Sequence, residues 1–213
     1  MNNEEINPWE KIPLSDYESH MKLESVMQLQ MMNRMMAHQF ALCETGPAMV
    51  LGVAGGNGLE HVESSGISRV YGVDINADYL SQCKERFPRL DGVLECVCAD
   101  LTVDDVVLPH ADLLIANLLI EYIGYACFCR TVKVVNPKCV SCIIQINVDD
   151  SFVSDSPYLH VFDGLERVHH QISEAELTYA MKSIGYELSS RVEEPLPNGK
   201  KLVELNFAGN YVD

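Results

Sequence analysis

The chain reads Val-Leu-Gly-Val-Ala-Gly-Gly-Asn-Gly at residues 50–58, and this stretch decides the fold prediction. An apolar run over residues 48–54 leads into the glycines, and helical sequence follows from about Leu59. Glycine lets the backbone bend sharply and lets a ligand lie against it. The start of a following helix offers free N–H groups and positive potential to a carboxylate or a phosphate. The stretch therefore predicts either a ligand-binding loop or a plain structural turn.

Further apolar runs downstream repeat the pattern of strand, loop and helix. Continuous apolar runs of this kind are typical of parallel strands that are covered on both faces. Alternating strands and helices favour right-handed crossovers and a doubly wound sheet. The fold class is therefore predicted as α/β. The strands predicted after the glycine-rich stretch cover residues 69–74, 92–98, 111–116 and 139–148.

The C-terminal part predicts an antiparallel end to this sheet. Two strand-like runs, residues 186–192 and 201–208, flank the tight-turn signal Pro197-Asn198-Gly199. Before them, Ser173 and Glu176 match a capping box that opens a helix ending near residue 185. A mostly parallel sheet with a C-terminal hairpin follows from this arrangement.

A helical segment precedes the sheet. Ser15 and Glu18 match another capping box, and helical sequence continues to about residue 43. Apolar residues recur there at steps of three and four, and many of them are methionines. Packing against the sheet, a flexible lid over a ligand pocket and a dimer contact all remain open for this stripe. We assign residues 1–45 as an N-terminal helical cap and residues 46–213 as the ligand-binding domain.

Two carboxylates follow neighbouring predicted strands. Asp74 ends the second strand, where an acidic group can accept hydrogen bonds from both ribose hydroxyls of an adenosine ligand. Asp74 could instead cap the next helix, but Asn76 already suits that role. Asp100 follows the third strand and could accept from an adenine amino group or be a solvated loop carboxylate. Ile75 and Leu101 are placed to sandwich the adenine ring.

With these elements in this order, residues 47–148 resemble the class I S-adenosylmethionine-dependent methyltransferases. The resemblance implies a Rossmann-like, seven-stranded sheet, S-adenosylmethionine as the cofactor and methyl transfer as the activity. It also implies cofactor contacts from the glycine-rich motif, from the acids after strands two and three, and from the segment after strand four. The implied cofactor-binding residues are Gly52, Ala54, Gly55, Gly56, Gly58, Asp74, Ile75, Asp100, Leu101 and Asn117.

The chain departs from the family pattern in its glycine-rich motif and after its fourth helix. Gly52 stands where the motif often carries an acid, and Ala54 stands where it often carries glycine. Lys138 and Cys139 replace a glycine pair that often follows Pro137. Alanine is small enough to keep the turn, whereas loss of the acid removes one polar anchor. The departures motivate an alternative hypothesis, a non-catalytic cofactor-binding or regulatory protein that retains the fold.

The acceptor-side candidates come from two places. Glu121 and Tyr122 follow the fourth strand, on the rim where α/β sheets bind ligands. Tyr17 and His20 belong to the N-terminal helix, which in the family often covers the pocket. His20 could be a base or a packing residue, and Glu121 could pair with a cationic acceptor or face solvent. A sulfonium already activates the methyl group, so we assign no catalytic residue.

A nicotinamide-dependent oxidoreductase is a third hypothesis, from another class. Its fingerprint needs a third glycine after a Gly-x-Gly pair, together with an acid about twenty residues further on. Here Leu59-Glu60-His61 follows Gly56-Asn57-Gly58 and supplies no third glycine. His169 and His170 precede the last predicted helix, and we interpret both as loop residues.

The charge and hydropathy of the chain limit the classes of partner and substrate. Fifteen basic residues face thirty-one acidic ones, a formal net charge of -16, whereas a nucleic-acid binder normally presents a basic surface. Small molecules and basic proteins remain as substrate classes, and the compact chain favours a small-molecule methyl acceptor. No apolar run reaches about 18 residues, and the N-terminus is acidic and polar, so we expect a cytoplasmic protein without a membrane partner. A homodimer stays open.

Eight cysteines raise the question of a metal site. Cys139 and Cys142 form one C-x-x-C pair, but a zinc ribbon would need two such pairs at a set interval. The pair also lies in an apolar, strand-like run. We therefore expect buried, reduced thiols and no bound metal.

Overall fold

A computed structural model describes residues 6–43, 45–147 and 152–210 of the chain. Its centre is a seven-stranded sheet with the order β3-β2-β1-β4-β5-β7-β6. The first five strands are parallel, and β7 is antiparallel to both β5 and β6. The predicted fold class and the C-terminal hairpin are confirmed. The strands are β1 Gly46–Leu51, β2 Ile67–Asp74, β3 Leu94–Cys98, β4 Leu113–Asn117, β5 Cys139–Ile146, β6 Tyr186–Pro195 and β7 Lys201–Gly209.

In the part of the chain that the structure describes, five α-helices and four short 3₁₀ helices connect and cover these strands. Asn76 caps α3 by accepting from the backbone N–H groups of Asp78 and Tyr79, as predicted. Ser173 caps α5 by accepting from the N–H of Glu176 at 3.2 Å. The α-helices are α1 Leu14–Lys22, α2 Gln28–Phe40, α3 Ala77–Arg86, α4 Ile120–Val135 and α5 Glu174–Ser183; the 3₁₀ helices are Pro8–Glu10, Leu59–Ser64, Pro88–Leu90 and Leu159–Arg167.

Three local predictions about the helices are wrong. The capping box at Ser15 does not form, because α1 begins at Leu14 and Pro13 is at its N-cap, two residues before Ser15. The helix predicted up to about residue 43 is interrupted, because Met27 adopts a left-handed backbone conformation with φ 53° before α2 begins. The helix after the glycines is a short 3₁₀ helix that ends at Ser64. The predicted end of the fifth strand at Val148 and the first five residues lie outside the described residues.

The core occupies both faces of the sheet. Met49 and Leu51 of β1 pack with the cluster that contains α4 and α5, whereas Ala48 and Val50 pack with the cluster that contains α2 and α3. This alternation is the two-residue period of a strand that is buried on both sides. The methionine stripe is also core: the buried residues Met21, Met31, Met32 and Met35 pack on Ile143 of β5 and on Leu196 and Leu202 beside the hairpin.

The cysteines are all reduced thiols, but their burial differs. Cys83 and Cys142 are buried, Cys98 is exposed, and the other five are partly exposed. Among the described residues, no group of three or more His, Cys, Asp or Glu side chains is placed to hold a metal ion. In the same part of the chain, no helix is long and apolar enough to cross a membrane.

Candidate functional site

Two adjoining cavities open at the carboxyl end of the sheet. In the strand order, β1 lies between β2 and β4, which is the switch point where α/β folds bind ligands. The first cavity, here called the strand-end cavity, is lined by residues that follow β1, β2, β3 and β4. Seven of the predicted cofactor-binding residues line it: Gly52, Ala54, Asp74, Ile75, Asp100, Leu101 and Asn117.

Asp74 is tied to the glycine-rich loop. Its Oδ2 accepts from the N–H of Ala54 at 2.9 Å, and its Oδ1 accepts from the N–H of Asn76 at 2.9 Å. Burial raises the pKa of Asp74, and the backbone N–H groups of Asn76, Ala54 and Ile75 oppose that shift. The carboxylate also holds Ala54 in a left-handed conformation with φ 45°. Each carboxylate oxygen keeps a second lone pair for a ligand hydroxyl.

Asp100 lies beside Asp74 because their strands pair. Asp74 is in register with Cys98 of β3, and the N–H of Ala99 donates to the Asp74 carbonyl at 2.9 Å. The Asp100 carboxylate accepts from the N–H of Thr102 at 2.8 Å and from its hydroxyl at 2.6 Å. The two acids therefore lie on the same side of the molecule and line one cavity.

A basic side chain that sequence reasoning missed holds the loop after Asp100. Nη2 of Arg130, on α4, donates to the carbonyls of Leu101, Thr102 and Val103 at 2.9–3.1 Å. Its Nη1 pairs with Asp104 at 3.0 Å. No sequence motif marks this role, because Arg130 lies one helix away from the loop that it holds.

Asn117, at the end of β4, is fixed from the N-terminal segment. Its side-chain amide and that of Gln39 exchange two hydrogen bonds, at 2.8 and 2.9 Å. The Asn117 oxygen also accepts from the N–H of Ile143 at 3.2 Å. Gln39 is fully buried, so this pair is a rigid part of the cavity floor.

The glycines of the motif have different surroundings. Gly52 lines the strand-end cavity and has φ 65°. A Cβ on Gly56 would lie 2.6 Å from the ring of Phe87, and one on Gly58 would lie 2.5 Å from the sulfur of Met36. These two glycines pack the loop against the protein core. Gly55 lies in a smaller adjoining pocket, and its carbonyl accepts from Arg86 at 3.3 Å. The structure does not place these last three glycines on the strand-end cavity.

The second cavity, here called the aromatic cavity, adjoins the first. Both cavities are lined by Trp9, Tyr17, Leu118 and Tyr122, which form a shared wall. The Trp9 ring meets Tyr17 edge-on at 5.7 Å and Tyr122 edge-on at 4.9 Å between centroids. Other aromatic and imidazole rings of the aromatic cavity come from His20, Phe152, Phe162, His169 and His170.

The N-terminal segment is fastened to α3. Asn76 donates to the Trp9 carbonyl at 2.9 Å, and the Tyr79 hydroxyl donates to the Ile12 carbonyl at 2.8 Å. Glu18 forms an ion pair with Arg86 on the same helix. These contacts place Trp9 and Tyr17 over the carboxyl ends of the strands.

All four predicted acceptor-side residues line the aromatic cavity. His20 is buried and its Nδ1 lies 2.7 Å from the Ser156 hydroxyl; burial, with a smaller contribution from Lys200, lowers its pKa. Glu121 is only 8% exposed, so the solvent-facing alternative is wrong. Burial raises the pKa of Glu121 from 4.5 to about 7, and its Oε2 has no hydrogen-bond partner.

Comparison with known proteins identifies a methyltransferase domain within the chain. Residues 49–141, from β1 into β5, match the family model of a methyltransferase domain. This segment is therefore a methyltransferase domain, as the resemblance to the class I S-adenosylmethionine-dependent methyltransferases implied. The match favours methyl transfer over the nicotinamide-dependent alternative. No curated protein matches the sequence of this chain significantly.

Solved structures show the same fold at low identity. The N-methyltransferase NodS from Bradyrhizobium japonicum WM9, in complex with S-adenosyl-l-homocysteine, is 10% identical with a TM-score of 0.67, over 97% of this chain and 100% of that one. Magnesium protoporphyrin IX methyltransferase (ChlM) from Synechocystis PCC 6803 is 10% identical with a TM-score of 0.61, over 92% and 86%. The [4+2]-cyclase SpnF is 8% identical with a TM-score of 0.65, over 88% and 84%.

Sequence reasoning missed part of the methyltransferase's second cavity. His169, interpreted as a loop residue, stacks on Phe152 with centroids 3.9 Å apart and an interplanar angle of 16°. His170 donates its N–H to the Glu121 carbonyl at 2.6 Å. Leu159, Phe162 and Leu165 recur at steps of three and could have indicated the 3₁₀ helix, but the contacts of His169 and His170 appear only once the stretch is folded.

Proposed function

We propose that this methyltransferase holds S-adenosylmethionine in the strand-end cavity and transfers its methyl group to a small molecule in the aromatic cavity. The observation that carries the proposal is the shared wall of Trp9, Tyr17, Leu118 and Tyr122 between the two cavities. A methyl group that crosses at this wall passes directly from one bound molecule to the other.

The residues of the strand-end cavity fit the cofactor. Asp74 keeps lone pairs for the two ribose hydroxyls, and Asp100 keeps acceptor capacity for the adenine amino group. Ile75 and Leu101 offer apolar faces to the ring. Gly52 lines the cavity without a side chain, and its φ of 65° together with a Cβ position 3.2 Å from the Leu119 side chain favours glycine there. Gly55, Gly56 and Gly58 lie outside this cavity. We propose that they assist cofactor binding only by shaping the loop.

The chain's own residues then bind and orient the cofactor and the acceptor, and they exclude water from the site. When bound, the cofactor supplies a methyl group that its sulfonium already activates. Asn117, held by Gln39, fixes the floor beside β4, and the rings of Trp9, Tyr17 and Tyr122 form part of the wall that both cavities share. Alignment and dehydration of this kind are the main requirements for methyl transfer.

A small-molecule acceptor is consistent with the net negative charge of the chain and with the covered aromatic cavity. A formal net charge of -16 opposes binding to a phosphate backbone, so we propose no nucleic-acid partner. The aromatic cavity is also covered by the N-terminal segment and by the stretch around Phe152 and Phe162. The division at residue 45, the cytoplasmic location and the homodimer stay predictions.

Calorimetric titration with S-adenosylhomocysteine tests the cofactor site. We expect Asp74→Ala to weaken binding by about 1–3 kcal/mol, because two ribose hydroxyls lose their acceptor. Asp74→Asn separates the charge from the shape, and Asp91→Ala, on the exposed turn before β3, is the control. Unchanged affinity in Asp74→Ala would remove Asp74 from the site, and absence of binding by the unaltered protein at millimolar ligand would reject the cofactor proposal.

A non-catalytic regulatory protein is the alternative, and Gly52 in place of the usual acid favours it. Transfer of labelled methyl from the cofactor to any acceptor eliminates this alternative. Tight cofactor binding without transfer to any member of a broad acceptor panel would support it.

A further inference from the structure

The aromatic cavity contains a buried carboxylate that no other residue satisfies. Within residues 6–43, 45–147 and 152–210, the Oε2 atom of Glu121 has no hydrogen-bond partner. Only the N–H of Glu121 itself favours the charged form of the carboxylate. Burying an unpaired carboxylate is costly, and in a binding site a ligand can offset that cost.

The rings beside this carboxylate favour a positive charge. Trp9, Tyr17 and Tyr122 meet edge-on, so their different ring planes enclose one corner of the site. The faces of such rings carry negative potential and attract an ammonium group within about 6 Å of the ring centre. Burial raises the pKa of both tyrosines, with smaller contributions from nearby carboxylates, so the two hydroxyls stay neutral.

The remaining groups of the cavity do not favour an anion. Burial lowers the pKa of His20 and of His169, so neither ring supplies a positive charge at neutral pH. Lys200 donates to the Phe152 carbonyl at 3.1 Å and does not line the cavity. Glu121 is therefore the carboxylate that lines this cavity, and Lys200, whose charge contributes to the lowered pKa of both imidazoles, lies outside the lining.

We propose that the methyl acceptor is an amine, bound as its ammonium ion between Glu121 and the rings of Trp9, Tyr17 and Tyr122. The proposal deepens the proposed function and rests on it. It names the chemical class of the acceptor and gives Glu121 the role of the base.

The proposed reaction balances in two steps. First, the Glu121 carboxylate takes a proton from the ammonium, which leaves a neutral amine with a free lone pair. The lone pair then forms the nitrogen–carbon bond as the carbon–sulfur bond breaks, and the electron pair of that bond stays on sulfur. The positive charge passes from the sulfonium to the methylated ammonium, and Glu121 later releases its proton to solvent. A raised pKa of about 7 suits this base near neutral pH.

Three matched probes test the acceptor class on protein saturated with S-adenosylhomocysteine. The probes are 2-phenylethylamine, 2-phenylethanol and 3-phenylpropanoate, which differ mainly in charge, and ligand-observed NMR gives their affinities. We expect the amine to bind at least about tenfold more tightly than the alcohol, and the carboxylate to bind most weakly. Glu121→Gln keeps the shape and removes the charge, so it should abolish the preference for the amine. Glu60 is an exposed carboxylate far from Glu121 in sequence, so Glu60→Gln should keep the preference for the amine.

The outcomes separate the two proposals. Equal affinity for amine and alcohol, an unchanged preference in Glu121→Gln, or no binding of any probe would overturn the amine proposal. The affinity of each protein for S-adenosylhomocysteine is measured first; it reports correct folding of the variants, and its absence in the unaltered protein would reject the proposed function instead. Glu121→Leu gives a second neutral variant with the same expected loss. Methyl transfer from labelled cofactor to 2-phenylethylamine should fall at least about tenfold in both variants.

Discussion

The strand-end cavity and the aromatic cavity treat their carboxylates in opposite ways. Asp74 accepts hydrogen bonds from two backbone N–H groups at 2.9 Å, so the fold itself holds its charge. Glu121 is buried, whereas Asp74 is half-buried, and the Oε2 atom of Glu121 has no hydrogen-bond partner. Backbone N–H groups satisfy the carboxylate of the first cavity, whereas the carboxylate of the second keeps one oxygen for the proposed ligand. In the proposed function, the specificity for the acceptor therefore lies in the aromatic cavity.

The largest expected effect is on stability, from a substitution that disturbs the packing behind the strand-end cavity. Gly56→Ala should lower the free energy of unfolding by about 2–4 kcal/mol, because φ is 86° and the new Cβ would lie 2.6 Å from Phe87. Gly92→Ala is the matched control: φ is 77° but no atom lies within 4 Å of the Cβ, so only about 1–2 kcal/mol of backbone strain remains. Urea unfolding measures both, and equal losses would show that packing is not the reason for Gly56.

The next effect sharpens the contrast between the two carboxylates. Because the pKa of Glu121 is raised in the folded state, its stabilising contribution is complete below pH 4.5 and is lost as pH rises to about 7. The stability advantage of Glu121→Gln over the unaltered protein should therefore grow by roughly 2–3 kcal/mol between pH 4.5 and pH 8. Urea unfolding at several pH values measures it. His20, His169 and Asp74 titrate in both proteins and cancel in the difference. A flat difference would mean that Glu121 is hydrated or paired.

The smallest effect tests how firmly the strand-end cavity is held. Arg130→Met removes three hydrogen bonds to the loop after Asp100, so cofactor affinity should fall about fivefold, or about 1 kcal/mol. Lys133→Met, an exposed basic residue on the same helix, is the control. Calorimetry measures both variants. An unchanged affinity in Arg130→Met would show that Asp100 and Thr102 order the loop without it.

The strand-end cavity could be predicted from sequence because strand ends carry local signals. Continuous apolar runs marked the strands, and parallel strands bring their carboxyl ends together, so Asp74 and Asp100 were expected to meet. The orientation of Gly56 and Gly58 could not be predicted. It depends on Phe87 and Met36, which reach the loop only after α3 and α2 pack.

The aromatic cavity was largely hidden from sequence reasoning. Its lining combines the N-terminal segment with residues 152–173, which are far apart in the chain and carry no shared period. Glu121 and Tyr122 were predicted from their place after the fourth strand, and Tyr17 and His20 from the N-terminal helix. The burial of Glu121 was not predicted. Burial of a helix-start carboxylate depends on what covers it, here the loop that carries His170.

Trp9 and Tyr17 line both the strand-end cavity and the aromatic cavity. Any ligand that displaces either ring in one cavity changes the shape of the other, so the affinities for cofactor and acceptor are linked by the same factor in both directions. Both molecules must also be present together for direct transfer. Steady-state kinetics should accordingly show the intersecting lines of a ternary complex, and not the parallel lines of a methylated enzyme.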